Sequence, residues 1–174
     1  AVTLAQANHR TLVIDGDLRL TGLSKLFAPS LTADAKGLSD FLTGQSSLET
    51  SIYPSPIPHL DIMPAGSKAP NPAELVGSGS MKKLLTALRD NYDFILVDSP
   101  PVMAVADGLL LSRFVDSIVF VVRCNHTPRH VAREARQKLS NVRARVIGLV
   151  LNEVPTSAHH RDAMRYGANY VYGD

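Results

Sequence analysis

The chain has 174 residues, 45% hydrophobic and 20% charged, with 18 Lys and Arg against 16 Asp and Glu, a net charge of +2. That is the size of one ordinary domain, able to bury a core without disulfides or structural metal. The even charge balance excludes a dominant nucleic-acid-binding face, and composition excludes collagen-like, coiled-coil, disordered and disulfide-scaffold classes. No uncharged apolar run approaches the roughly 18 residues that span a bilayer. The start lacks the basic, apolar and small-residue order of a secretion signal. The single cysteine, Cys124, cannot pair internally and fits a reducing cytoplasm.

In chain order, residues 1–7 read as the last turns of a helix whose start is absent, so the natural protein is expected to continue upstream. Thr11–Asp15, Leu60–Met63 (weaker), Phe94–Asp98, 117–123 and Val146–Asn152 are short, continuous apolar runs rich in β-branched residues. Such runs read as strands of a parallel sheet buried on both faces. Between them, Ser80 is the expected N-cap of a helix over 81–89, with Met81, Leu84, Leu85 and Leu88 on one face. Residues 107–114 read as a short apolar helix. Thr127 followed by Pro128 reads as an N-cap and first helical residue, opening a helix to about residue 142. The Pro-, Ser- and Gly-rich stretch 43–71 reads as loops around one strand. Strand and helix alternate, which predicts an α/β fold with a parallel central sheet flanked by helices. Residues 1–161 are expected to form one body, followed by a tail, 162–174, carrying Tyr166, Tyr170 and Tyr172.

Ligands of open α/β sheets bind at the carboxyl ends of the strands. Two of the runs end there in aspartate, Asp15 and Asp98. Two carboxylates at one edge suit a hydrated Mg²⁺, which takes few protein oxygens and leaves the rest to water and phosphate. Asp17 and Arg19 follow Asp15. A carboxylate there could take a proton from an incoming hydroxyl, and an arginine could stabilise transferring phosphate. An ordinary ion pair of Arg19 with Asp17 or a neighbouring acid is equally open. Pro100 and Pro101 fix the backbone path after Asp98. His126 and His130, like the adjacent His159 and His160, lack an acidic or cysteine partner in the pattern and read as solvated, as does the basic run 129–138.

The order and spacing of these motifs carry a resemblance. Leu12-Val-Ile-Asp15-Gly-Asp17-Leu-Arg19, then Leu23-Ser-Lys-Leu-Phe27, Pro70-Asn-Pro-Ala-Glu-Leu75, Asp98-Ser-Pro-Pro101, Gly148-Leu-Val-Leu-Asn152 and the terminal tyrosines resemble the kinase domain of bacterial tyrosine kinases, the Wzc- and CapB-like proteins of capsule and exopolysaccharide synthesis. These are relatives of the MinD and ParA P-loop ATPases. The resemblance runs almost end to end. It implies a P-loop NTPase-like fold and ATP-dependent tyrosine autophosphorylation that regulates polysaccharide polymerisation and export. It implies Asp15 and Asp98 at Mg²⁺, Asp17 and Arg19 beside the transferred phosphate and acceptor tyrosine, and Asn152 near adenine. Tyr166, Tyr170 and Tyr172 would accept phosphate in trans within a homo-oligomer. The partner would be a membrane polysaccharide co-polymerase, fused or separate, at the cytoplasmic side of the bacterial inner membrane. No nucleic acid is expected. The family's Gly-x-Gly-Lys-Ser/Thr loop is not in these residues, and its place would be upstream of Ala1. The resemblance therefore implies that the isolated chain binds ATP poorly. The rival readings are a MinD/ParA-like ATPase switch and a non-catalytic module of the export machinery.

Overall fold

The structure is a computed structural model that describes residues 1–27, 31 and 34–155. Its contacts divide the chain into two units, Ala1–Val115 and Asp116–Asp174, each described by itself below. The boundary expected at residue 161 lies outside the described residues.

In the first unit, strand β1, Thr11–Asp15, is buried along its whole length. It lies inside a four-stranded sheet of order β2-β3-β1-β4, with β2 Tyr53–Pro54, β3 Leu60–Met63 and β4 Phe94–Asp98. Strands β3 and β4 run parallel to β1, and β2 pairs antiparallel with β3 at the edge. Alternate side chains of a strand point to opposite faces, so a strand covered on both sides needs a continuous apolar run. Leu12 and Ile14 pack with Met81, Leu84, Leu85 and Leu88 of helix α5, Gly79–Leu88. Val13 and Leu60 pack with Ala5 of helix α1, Val2–Gln6. Each large side chain so buried contributes roughly 1.5–3 kcal/mol.

The expected face of α5 is the buried one, but its N-cap is Ser78 rather than Ser80, which lies within the helix. The Ser78 hydroxyl accepts the Met81 N–H at 3.4 Å, the spacing that a cap serves. Helices α2 (Gly22–Leu26), α3 (Leu38–Leu42), α4 (Pro72–Val76) and α6 (Asp107–Leu111) are five residues long, too short for apolar periodicity to show. Helix α6 stops three residues short of its expected end. The stretch 43–71 holds β2 as well as the expected β3.

A buried carboxylate anchors the loop after β3. Asp40 of α3 accepts the Ser67 hydroxyl at 2.7 Å, the Ser67 and Gly37 N–H groups at 3.0 Å, and the Lys36 ammonium at 3.4 Å. Burial pushes its pKa up, but the Ser67 and Gly37 donors and Lys36 outweigh this and hold it below the ordinary value.

In the second unit, β5 (Ile118–Arg123) and β6 (Val146–Asn152) pair in parallel. Helix α7 spans Arg129–Asn141 and buries Ala135 and Leu139. Pro128 is its N-cap rather than its first helical residue, because its ψ of 144° is extended; no side chain caps the helix, and Thr127 plays no such part. The expectation of strands buried on both faces holds for β1. It fails for β4, where Phe94 and Leu96 are exposed, and for β5 and β6, where Val119, Val121, Ile147, Leu149 and Leu151 are 50–60% exposed. A run that is covered in the middle of a four-stranded sheet stays open at an edge or in a two-stranded one. Among the described residues, β4 hydrogen-bonds only to β1.

Gly66 has φ +83°, and a Cβ there would lie 2.4 Å from the Asp40 carboxylate. Gly44 has φ +75° with open space around it. Gly44→Ala is expected to lose about 1 kcal/mol of unfolding free energy, the strain of left-handed backbone alone. Gly66→Ala is expected to lose about 1–3 kcal/mol more through displacement of Asp40. Urea unfolding of the two variants measures the difference.

Candidate functional site at the carboxyl ends of β1 and β4

The parallel register of β1 and β4 sets Asp15 opposite Asp98. The two carboxylates thus stand at adjacent strand ends, where the sequence expectation places them. The chain turns so closely there that the Gly16 N–H donates to the Asp98 carbonyl at 3.1 Å. A Cβ on residue 16 would sit 2.4 Å from that oxygen, so only glycine fits between the two aspartates of Asp15-Gly16-Asp17.

Asp15 is fully buried and held at both oxygens. One accepts the Asp17 N–H at 3.2 Å; the other accepts the Ser24 N–H at 2.8 Å and the Ser24 hydroxyl at 2.6 Å. The Ser24 oxygen in turn accepts the Ala65 N–H at 2.9 Å, which ties Asp15 to the loop after β3. Asp17 uses Oδ1 to accept the N–H groups of Arg19 and Leu20 at 3.0 and 3.1 Å, a turn that caps its own loop. Its Oδ2 takes no hydrogen bond among the described residues and could receive a proton. Asp98 is solvent-accessible yet crowded on one side. Partial burial raises its pKa first, and the negative charges of Asp15 and Asp17 add to this, against a smaller opposing pull from the Ser99 N–H.

Of the two readings of Arg19 open in the sequence, the structure contains the ion pair, and its acid is Asp107. Its Nε–H and one Nη2 N–H donate to the two Asp107 oxygens at 3.0 and 3.1 Å. The Asp107 side chain is 1% exposed and that of Arg19 is 40% exposed. Asp107 opens α6, whose Gly108 packs near Ser99 and Pro100 on the loop after Asp98. The sequence reading missed Ser24 and Asp107 as site residues. Asp107 carried a faint signal, an acid in the first turn of a helix just beyond the proline turn; Ser24 lay inside the Leu23–Phe27 segment of the resemblance, which pointed to no role for it.

Asn152 ends β6 in the second unit, exposed, with its side-chain oxygen accepting the Glu153 N–H at 2.9 Å. Tyr166, Tyr170 and Tyr172 lie outside the described residues. Among the described residues, no group of three acidic, histidine or cysteine side chains forms a closed metal cage. The Asp15–Asp98 pair fits instead a cation that completes its shell with water and phosphate oxygens. Asp98, crowded by like charge and short of donors, is the oxygen source such a cation would relieve.

The half-shielded Asp98 and the buried Asp40 bear on stability with opposite signs. A folded-state pKa raised above the unfolded value, about 4, costs stability as pH climbs through the folded pKa. Asp98→Asn is therefore expected to raise the thermal midpoint at neutral pH, and the gain vanishes below about pH 4. Asp40 has a depressed pKa, so its stabilisation is full above about pH 4 and lost as pH falls through its folded value. Asp40→Asn should lower the midpoint at neutral pH, by an amount that shrinks in acid. Melting curves from pH 3 to pH 8 test both; equal shifts of one sign at all pH values would contradict the assignment.

A model of the AAA domain family matches residues 1–146. The tyrosine-protein kinase CpsD of Streptococcus agalactiae is 31% identical over 168 residues, covering 96% of this chain and 72% of that protein. The crystal structure of the VpsO kinase domain superposes with a TM-score of 0.82 at 38% identity, covering 88% of this chain and 74% of that one. The septum site-determining protein MinD of Pyrococcus horikoshii, complexed with Mg-ADP, superposes with a TM-score of 0.69 at 21% identity, over 92% of this chain and 67% of that one, a likeness of fold. The helix-flanked α/β sheet, parallel except for the edge strand β2, thus has the P-loop NTPase-like fold expected from the sequence. The chain belongs to the AAA domain family and, within it, to the bacterial tyrosine-protein kinases that include CpsD.

Proposed function

We propose that this chain is the phosphoryl-transfer part of an ATP-dependent bacterial tyrosine autokinase that regulates exopolysaccharide or capsule polymerisation and export. The observation that carries the reading is the in-register Asp15–Asp98 pair, with Asp17 and Arg19 following on the same loop. ATP and Mg²⁺ are the proposed cofactors; the Mg-ADP in the MinD structure of the same fold supports them. Bound Mg²⁺ would draw charge from the transferring phosphate. Asp98 would hold it on the side where its own carboxylate is least satisfied, and Asp15, fixed by Ser24 and Asp17, would contribute from a rigid position. Asp17 would take the acceptor tyrosine's proton at Oδ2, the oxygen its turn leaves open. Arg19 would face the transferred phosphate with the N–H groups not engaged by Asp107. The Asn152 amide NH₂ would face adenine, its carbonyl being occupied by Glu153.

The phosphate cradle is proposed to lie upstream of Ala1. The edge of β4 left unpaired among the described residues, and the exposed Phe94 and Leu96 beside it, support this, since a strand added there would cover them. Residues 1–161 are proposed as the kinase domain. The tail Tyr166, Tyr170 and Tyr172 are the proposed acceptors, modified in trans by a second copy, with each phosphate adding about −1.5 to −2 charges to loosen the assembly. The proposed site of action is the cytoplasmic side of the bacterial inner membrane, beside a membrane co-polymerase. No helix among the described residues is long and apolar enough to cross a membrane.

The test is phosphopeptide mapping of the full natural protein incubated with Mg-ATP. Phosphate is expected on Tyr166, Tyr170 or Tyr172, abolished by Asp98→Asn and slowed about 10²–10⁴-fold by Asp17→Asn, the range for loss of a positioned general base. ATP hydrolysis without tyrosine phosphate would replace this reading with an ATPase switch.

A further inference from the structure

Arg19 and Asp107 are 88 positions apart, yet they form the one fork-shaped pair between the loop after β1 and the start of α6 among the described residues. An arginine carries five N–H donors. The fork spends Nε–H and one Nη2 N–H, which leaves both Nη1 protons and one Nη2 proton on the other edge of the guanidinium. The partially exposed arginine can present that edge to an anion, while the buried acid cannot leave. The guanidinium is also held from its own backbone end: the Arg19 N–H donates to Asp17 Oδ1. A side chain with several rotatable bonds is thereby fixed at both ends before any ligand arrives. Preorganised donors of this kind act on developing charge without having to reorganise.

We infer that Asp107 is the positioning residue of Arg19, holding its guanidinium plane so that its free edge reads the terminal phosphate of a nucleoside triphosphate. The inference rests on the proposed reading of the Asp15–Asp98 edge as a nucleotide site and adds to it a residue on α6. A purely structural pair would tie the two loops together and affect every ligand alike. A positioning pair separates a triphosphate from a diphosphate, because only the former carries a third phosphate to meet the free edge.

The test uses the full natural protein with Mg²⁺, titrated calorimetrically with a non-hydrolysable ATP analogue and with ADP. Asp107→Asn keeps the shape but removes the charge and one acceptor of the fork. It is expected to weaken the triphosphate analogue about tenfold while leaving ADP affinity unchanged, as loss of one oriented charge-assisted contact would. Arg19→Lys keeps the ion pair but cannot form the fork and should show the same selective loss, which covers the case in which Asp107→Asn folds poorly. The double variant should lose no more than Arg19→Lys alone, since the two residues act as one device. Equal weakening of both nucleotides, or no change in either, overturns the inference. Wild-type tyrosine phosphorylation is followed in parallel: its absence overturns the kinase reading while nucleotide selectivity still decides the role of Asp107.

Discussion

Two carboxylates facing each other at adjacent strand ends are a liability that the rest of the first unit is built to hold. The parallel register puts Asp15 beside Asp98, and the Gly16 N–H bound to the Asp98 carbonyl locks the two ends together. Partial burial of Asp98 raises its pKa, and the repulsion from Asp15 adds to this. A fold under selection for stability alone would replace one of them, since loss of a like-charge partner relieves the other. Retaining both makes sense where a cation is to be shared between them.

The two acids are not equivalent. Asp15 is buried and meets donors at each oxygen, so its position is fixed by Ser24 and by the turn to Asp17. Asp98 is open on one side and under-provided with donors. The rigid member defines where a cation would sit, and the open member would gain most from its arrival. The restraint on Asp15 reaches further, because Ser24 also receives the Ala65 N–H, and the chain after Ala65 is pinned by Asp40 through Ser67. Three consecutive polar contacts thus join the edge of the sheet to a buried anchor on α3. The Asp40 network rigidifies the loop without touching the site.

Much of this was legible in the sequence where the signal is local. Thr11–Asp15 and Phe94–Asp98 announced themselves because strands buried on both faces need continuous apolar runs, and each ends in an acid of the candidate site. Their being neighbours was less visible, since pairing is set by topology and not by either run. Ser24 and Asp107 were illegible for that reason: each acts across 9 and 88 positions, respectively, on a partner that only the fold supplies. The five-residue helices escaped because one and a half turns carry no periodicity. Ser78-Gly79-Ser80 offers two serines as caps for α5, and only the reach of a hydroxyl to the Met81 N–H chooses Ser78.

The exposure of β4, in the first unit, and that of β5 and β6, in the second, each differ from the burial of β1. Sequence alone reads Phe94–Asp98 and Val146–Asn152 as interior strands, because nothing in a continuous apolar run distinguishes a covered strand from one awaiting cover. The structure leaves their apolar side chains open while β1, of the same composition, is sealed on both faces. The difference therefore lies in their neighbours and not in the strands themselves. The edge of β4 that is unpaired among the described residues lies beside Asp98, so a strand added there would run next to the acid pair. The loop leaving the carboxyl end of a parallel strand so added would emerge at the same rim as Asp15 and Asp98. Covering Phe94 and Leu96 of β4 and completing the site would then be one event: the hydrophobic gain from the first would organise the polar groups of the second.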